Sequence, residues 1–203
     1  MSNDSPSARS KAQIWILIVV FFAPLAIAFL LYYGAHDWRP KHTTNRGDLI
    51  DPARPLPQAA LTNPHGGVLS PRLLREKWTL LYIGDGQCDR RCHEALTLIR
   101  QTRLALGKDM DRVQRLFLVT GNCCDQDYLA REHAGLILAR ADDAAAAGLI
   151  SLFPTYEGTP VAQAGRIYIV DPLGNLMMSY SPTAPTKGLL EDMKKLLKLS
   201  HIG

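Results

Sequence analysis

Four cysteines, arranged in two pairs, carry the most evident chemistry in this chain. Cys88 and Cys92 stand four residues apart, and Cys123 and Cys124 are adjacent. A closely spaced thiol pair can form a disulfide, exchange that disulfide with another thiol, or bind a soft metal ion such as Cu(I). The competing interpretation is an inert buried pair, or a disulfide that only stabilises the fold.

Cys88 and Cys92 lie where a predicted strand meets a predicted helix. Residues 78–84 form a short apolar run of β-prone residues, and residues 92–106 repeat at helical spacing. Residues i and i+4 of a regular helix have Cβ atoms about 5–6 Å apart, whereas a disulfide requires roughly 3.5–4.5 Å. We therefore expect Cys88 just outside the helix as the attacking or metal-binding thiol, with Cys92 as the resolving partner or second ligand.

The charges around this turn also favour a reactive thiol. The unpaired N–H groups and the dipole at a helix N-terminus stabilise a nearby thiolate. Arg90 and Arg91 add positive charge, which Asp89 offsets only in part. This is an unusual place for an inert pair of thiols.

Cys123 and Cys124 follow a second apolar run, residues 115–120, which predicts another strand. Strand, helix and strand at this spacing form a right-handed βαβ unit, in which the carboxyl ends of the parallel strands lie side by side. The vicinal pair could therefore stand beside Cys88 and Cys92, where one of its thiols relays electrons or completes a metal site. The alternative is that the two are unrelated loop cysteines.

The remaining candidate ligands are histidines and methionines. His93 directly follows Cys92 and could face the site, although an exposed helical histidine is the commoner case. His133 lies in a charged segment, and we expect it to be solvated. Met177 and Met178 are successive strand residues that point to opposite faces, so at most one of them serves any one site.

The N-terminal region predicts a membrane anchor. Residues 14–33 hold no charged side chain, and a helix of this length covers the roughly 30 Å hydrocarbon core of a bilayer. A cleaved signal peptide is the competing interpretation, but its apolar core spans only roughly 7–15 residues. We expect a cytoplasmic N-terminus at 1–13, a transmembrane helix at 14–33 and an extended, proline-containing tether at 34–60. Because a long C-terminal domain translocates largely regardless of its charge, we expect it on the periplasmic side of the inner (cytoplasmic) membrane.

Residues 61–203 predict one α/β domain. After the βαβ half, residues 166–170 and 176–180 predict a hairpin, and residues 186–199 an amphipathic helix. A βαβ half followed by a ββα half is the thioredoxin-like arrangement, a central mixed β-sheet flanked by helices. The net charge of +4 is spread along the chain without a basic run, so we do not expect nucleic acid as a partner.

The motifs resemble the Sco (SenC) family over residues 61–199. The similarity rests on residues 64–70, on the strand at 78–84 with its Cys-x-x-x-Cys, and on residues 165–174. The resemblance implies a membrane-anchored, thioredoxin-fold protein of cytochrome c oxidase assembly. Two cysteines of that family bind copper together with a histidine, five residues before the tyrosine of the late strand. Counting back from Tyr168 places Gln163 at that position.

The leading functional hypothesis is thiol–disulfide exchange through Cys88 and Cys92 in cytochrome c oxidase or copper-site maturation. Cu(I) favours thiolate and imidazole over an amide oxygen, so Gln163 shifts the balance away from copper delivery. The implied partner is an oxidase subunit or another copper or thiol assembly factor. One alternative is a Cu(I) chaperone in which Cys88 and Cys92 bind copper with a third ligand from His93, Cys123 or Cys124. Another is a catalytically silent assembly scaffold.

Overall fold

The computed structural model describes residues 8–34, 44–141, 144–200 and 202–203. It divides into two compact units, Met1–Thr44 and Asn45–Gly203. In the first unit, helix α1 (Ala8–Tyr33) contains the predicted span at 14–33. Its segment Ala12–Tyr33 has a mean hydropathy of 2.9 and is long and apolar enough to cross a membrane. Residues 1–7 of the predicted cytoplasmic segment and 35–43 of the predicted tether lie outside the described residues.

The second unit is built on a six-stranded mixed sheet with the strand order β1-β6-β5-β2-β3-β4. Strands β2, β3 and β4 are parallel, whereas β5, β6 and β1 continue the sheet by antiparallel pairing. The strands are β1 (Asp48–Pro55), β2 (Trp78–Asp85), β3 (Val113–Thr120), β4 (Ile137–Arg140), β5 (Ile167–Val170) and β6 (Asn175–Tyr180). The helices are α2 (Arg90–Ala105), α3 (Gln126–Glu132), α4 (Ala144–Ile150) and α5 (Thr186–Leu199).

The sheet divides the apolar core into two layers, one on each of its faces. Along β2, Leu80 and Tyr82 pack into one layer, and Leu81 and Ile83 pack into the other, because successive strand residues point to opposite faces. The first layer contains the buried faces of α2 and α5, and the second contains that of α4. The result is the helix-flanked mixed sheet predicted from the sequence.

The segment before residue 61 differs from its prediction as an extended tether. Asp48–Pro55 form β1, which pairs with β6 at the edge of the sheet, so the folded unit begins at Asn45. Only Ile50 in this strand is buried. Proline is tolerated in an edge strand because one side of its backbone needs no partner. The prolines and the weak apolar pattern of Asp48–Pro55 are typical of a linker, although the segment forms an edge strand.

Candidate functional site

Cys88 and Cys92 form a disulfide at the turn between β2 and α2, with their Cα atoms 5.0 Å apart. Asp85 closes this turn, because its carbonyl accepts the N–H of Cys88 and its carboxylate accepts that of Gln87. Asp89 caps α2 by accepting the N–H of Cys92 at 3.0 Å. Cys88 therefore precedes the helix and Cys92 lies in its first turn, as the disulfide geometry predicts.

The backbone of Cys88 adopts the left-handed conformation, with φ of +50°. An L-residue pays a steric cost there because its Cβ approaches the following carbonyl oxygen. This conformation turns the chain sharply enough for the Cys88 sulfur to meet that of Cys92 across the start of the helix. The turn between β2 and α2 is thus shaped around the sulfur pair.

The disulfide borders a cavity of about 330 Å³ on the surface of the domain. Cys88 is 7% exposed and Cys92 is 2% exposed, so Cys88 is the more accessible sulfur-bearing residue. Gln163 lines the same cavity from a short 3₁₀ turn before β5. The other lining residues are Tyr82, Asp85, Gln87, Asp89, Arg91, Ala162 and Gly165. Gln163 therefore shares a cavity with both cysteines. It is the residue that the count back from Tyr168 places at the histidine position of the Sco family.

The positive charge around the disulfide is smaller than the sequence indicates. Arg90 is directed into solvent and pairs with Glu94 at 2.8 Å, while Arg91 pairs with Asp89 at 3.5 Å. Of the two arginines, only Arg91 lines the cavity. Stabilisation of a thiolate at this site therefore rests mainly on the N-terminus of α2 rather than on a cluster of free cations.

Tyr82 supplies a neutral hydroxyl to the cavity. Burial, together with the nearby carboxylate of Asp89, raises the pKa of Tyr82 to about 12. At physiological pH its side chain is consequently a phenol that can donate a hydrogen bond, and it adds no negative charge beside the sulfurs.

Cys123 and Cys124 stand on the neighbouring loop, after β3. Gly86, two residues before Cys88, donates its N–H to the carbonyl of Thr120 at 3.1 Å. A β-carbon at Gly86 would lie only 2.8 Å from the Cα atom of Cys123, so the close approach of the two loops requires glycine. Cys124 packs against the core layer that contains Cys88 and Cys92.

Cys123 and Cys124 are adjacent residues of this loop. The parallel pairing of β2 and β3 therefore places both cysteine pairs at one edge of the sheet. This is the neighbourhood that the βαβ prediction implied.

The histidine and methionine candidates for a third metal ligand do not line the cavity beside the disulfide. His93 faces away from it, with its ring 4.4 Å from that of Tyr128. His133 is only 1% exposed, which makes the prediction of a solvated side chain wrong, and its Nε2 lies 3.1 Å from the Tyr128 hydroxyl. Met178 is buried in the core instead of lining the cavity. Among the described residues, no group of three or more His, Cys, Asp or Glu side chains could hold a metal ion.

A larger and more apolar cavity of about 400 Å³ adjoins the cysteine cavity, with which it shares Arg91 and Gly165. Its lining includes Ala95 and Leu98 of α2 and Thr186 at the start of α5, and Ala95 is also part of the core. The cysteine cavity thus adjoins a surface that can accommodate apolar side chains from outside the chain.

The model of the family described as "Transmembrane-like, thioredoxin-like, C-terminal domain" matches residues 78–200, which is more than half of the chain. The chain belongs to this thioredoxin-like family. No curated protein matches the sequence. The α/β fold and the single apolar N-terminal helix that were predicted agree with this assignment.

Solved structures similar to this thioredoxin-like chain include Sco proteins. Copper-bound ScoI of Bradyrhizobium japonicum is 23% identical, with a TM-score of 0.54, over 70% of this chain and 98% of that one. Apo Sco1 of Thermus thermophilus is 21% identical, with a TM-score of 0.61, over 78% and 99%. MTB dsbF, in mixed oxidised and reduced forms, is 13% identical, with a TM-score of 0.50, over 68% and 95%. These likenesses confirm the predicted Sco-like, thioredoxin-like fold.

Sequence reasoning found the cysteines and Gln163 but did not single out Tyr82 as part of the site. Tyr82 belongs to the apolar run of β2, where the sequence pattern predicts that an aromatic side chain packs in the core. Its position three residues before the end of β2 was the available signal, because side chains near the carboxyl ends of parallel strands border the site in α/β folds.

Proposed function

We propose that Cys88 and Cys92 form a dithiol–disulfide couple that reduces the cysteines of a partner protein during copper-site or cytochrome c oxidase maturation. The observation that carries this proposal is the disulfide itself, which borders an open cavity at the start of α2 beside Gln163. Both cysteines belong to a core layer, yet their position on the wall of a surface cavity lets a partner thiolate approach them. The adjoining apolar cavity offers a surface for a partner segment.

The exchange begins from the reduced pair. The Cys88 thiolate attacks one sulfur of the partner's disulfide, and the other partner sulfur leaves as a thiolate that takes up a proton. The Cys92 thiolate then attacks the Cys88 sulfur in the mixed disulfide and releases the second partner thiol. Two electrons pass to the partner, and the Cys88–Cys92 disulfide remains until an external dithiol reduces it. The greater accessibility of Cys88 fits the attacking role.

The membrane anchor and the location belong to the same proposal. A single apolar helix precedes the thioredoxin-like domain, and the family itself is described as transmembrane-like. We place the domain on the periplasmic side of the inner membrane, where disulfides form and persist.

Copper carriage is the second candidate function. The Bradyrhizobium japonicum ScoI structure is described with copper bound, and the present cavity offers two sulfurs once the disulfide is reduced. Gln163 contributes an amide, which is a hard donor for a soft ion. Copper as cargo would therefore rest on the two thiolates of Cys88 and Cys92.

A redox titration of the full chain in an uncharged detergent distinguishes an exchange couple from a structural disulfide. Alkylation and mass measurement would count free thiols across dithiothreitol and glutathione buffers. We expect the Cys88/Cys92 pair to titrate as a two-electron couple between roughly −120 and −270 mV, the range of thioredoxin-fold oxidoreductases. A potential below about −300 mV, typical of structural disulfides, would contradict the proposal.

Matched variants separate the remaining candidates. The C123S/C124S double variant should keep the same couple, whereas C88S/C92S should lose it. One Cu(I) per chain that resists dialysis and disappears in Cys88→Ala would favour copper carriage. If C88S/C92S cells assembled their oxidase normally, both thiol functions would fail and the scaffold would remain.

A further inference from the structure

A third cavity, of about 220 Å³, is lined by arginine side chains. It lies between the later turns of α2, the first half of β3 and the end of α3. Arg103 follows Cys92 by eleven residues, which corresponds to about 16 Å along the helix. The cavity is therefore separate from the cysteine site. Its lining residues are Arg100, Arg103, Leu104, Arg115, Arg131, Glu132 and Ala134.

Arg115 is the most unusual member of this group. It is only 4% exposed, although it carries a guanidinium in the middle of an apolar strand. Its Nη2 donates to the carbonyl of Ala134, but its Nε and Nη1 have no hydrogen-bond partner. A buried charged group without hydrogen-bond partners is destabilising, because it has lost its hydration and gained no acceptor from the protein. The structure leaves room for an acceptor beside it.

The surrounding charges do not neutralise Arg115. Arg103 donates to the carbonyl of Val113 at 2.7 Å, and it also lies 3.4 Å from the exposed carboxylate of Asp111, which is outside the cavity lining. Nη1 of Arg100 donates to the backbone carbonyl of Glu132 and lies 3.5 Å from Oε2 of that residue, which is the one carboxylate in the lining. Burial and the proximity of Arg103 and Arg100 lower the pKa of Arg115, the direction expected in an excess of positive charge.

We propose that this cavity binds a phosphate-sized oxyanion, presented by a phosphoryl or a carboxylate group. Guanidinium groups offer planar pairs of N–H donors that match the oxygens of both kinds of anion. An anion seated between the arginines gives Arg115 the acceptor it lacks and offsets the repulsion among four like charges. It also joins three elements, α2, β3 and α3, at the end of the sheet opposite the disulfide.

Calorimetric titration of the full chain in an uncharged detergent tests this site. The titrants are sodium phosphate and sodium succinate, each at ionic strength held constant with sodium chloride. We expect saturable one-to-one binding of at least one of them. Arg115→Met should weaken that binding about tenfold or more, as expected when charge-assisted hydrogen bonds are lost. Glu132→Gln should tighten binding, because it removes the carboxylate from the lining.

Arg72→Met is the matched control, because Arg72 is an exposed arginine that pairs with Glu76 at 3.1 Å outside the cavity. Its affinity should equal that of the wild type. Arg131→Met, which changes an exposed side chain, keeps the test informative if Arg115→Met fails to fold, and it should also weaken binding. Preference for phosphate or succinate identifies the phosphoryl or carboxylate source. Failure of both anions to saturate, or equal affinity in wild type, Arg131→Met and Glu132→Gln, would overturn the proposal.

Discussion

At the scale of single residues, Gln163 is the position at which the copper hypothesis can be tested. Its side chain lines the cavity with Cys88 and Cys92, yet an amide oxygen is a poor ligand for Cu(I). We predict that Gln163→His raises the Cu(I) affinity of the reduced protein at least about tenfold, or roughly 1.4 kcal/mol. Competition with a chromophoric Cu(I) chelator measures this change. Gln101→His, which adds an imidazole at an exposed position of α2, should leave the affinity unchanged.

An unaltered affinity in Gln163→His would mean that position 163 does not reach the sulfurs when they are reduced. The proposed redox couple would be unaffected by that result, because it depends on the sulfurs alone. The copper hypothesis and the redox hypothesis are therefore tested by separate experiments.

Single residues were predictable where chemistry depends on chain spacing. The Cys88–Cys92 pairing at a helix start follows from the four-residue spacing and from disulfide geometry. The burial of His133 was not predictable, because it depends on packing that forms only in the folded chain, where its Nε2 lies 3.1 Å from the Tyr128 hydroxyl. The unpartnered N–H groups of Arg115 were hidden for the same reason, although an arginine within an apolar strand was a visible anomaly.

At the scale of elements, β1 shows how tertiary contacts override local sequence. Its attachment begins with Asp192 of α5, which is 1% exposed. Oδ2 of Asp192 accepts the N–H groups of Arg46 and Gly47 at 2.7 and 3.0 Å, and the Tyr180 hydroxyl at 2.7 Å. Burial and this carboxylate raise the pKa of Tyr180, so its hydroxyl remains a donor. Asp192 stands 145 residues after Gly47 in the chain, so no local sequence pattern could reveal this attachment.

We predict that Asp192→Ala lowers the free energy of unfolding by about 3 kcal/mol, because it leaves buried donors without their charged acceptor. Denaturant unfolding gives the energy, and hydrogen exchange gives the location. The amides of Asp48–Pro55 that pair with β6 should lose protection before those of β2 and β3. Glu191→Ala is the control, because the neighbouring Glu191 forms only an exposed ion pair with Arg46 and should cost less than about 1 kcal/mol. Equal losses in the two variants would contradict this account of β1.

At the scale of the whole molecule, composition predicted the division into an apolar helix and an α/β domain, because both depend on long, regular patterns. The βαβ half was predictable since its strands are continuous apolar runs. The beginning of the folded unit was not, because Asn45 precedes a strand whose stability comes from distant partners. The folded unit therefore begins at Asn45, earlier in the sequence than the predicted residue 61.

The anchor itself gives the last prediction. Helix α1 carries apolar side chains that are exposed throughout Ala12–Tyr33, which burial in a bilayer would remove from water. We expect the full chain to keep its N-terminus and to resist extraction from membranes by alkaline carbonate. Protease added to spheroplasts should digest the thioredoxin-like domain while an N-terminal tag remains protected.

L17K/L25K should release the chain from the membrane fraction, because a lysine within a transmembrane helix costs about 3 kcal/mol. K187E/K194E, which alters charges on α5 only, should leave it anchored. A mature chain that begins after Tyr33 would instead identify the helix as a signal peptide, and the domain would then act as a released protein.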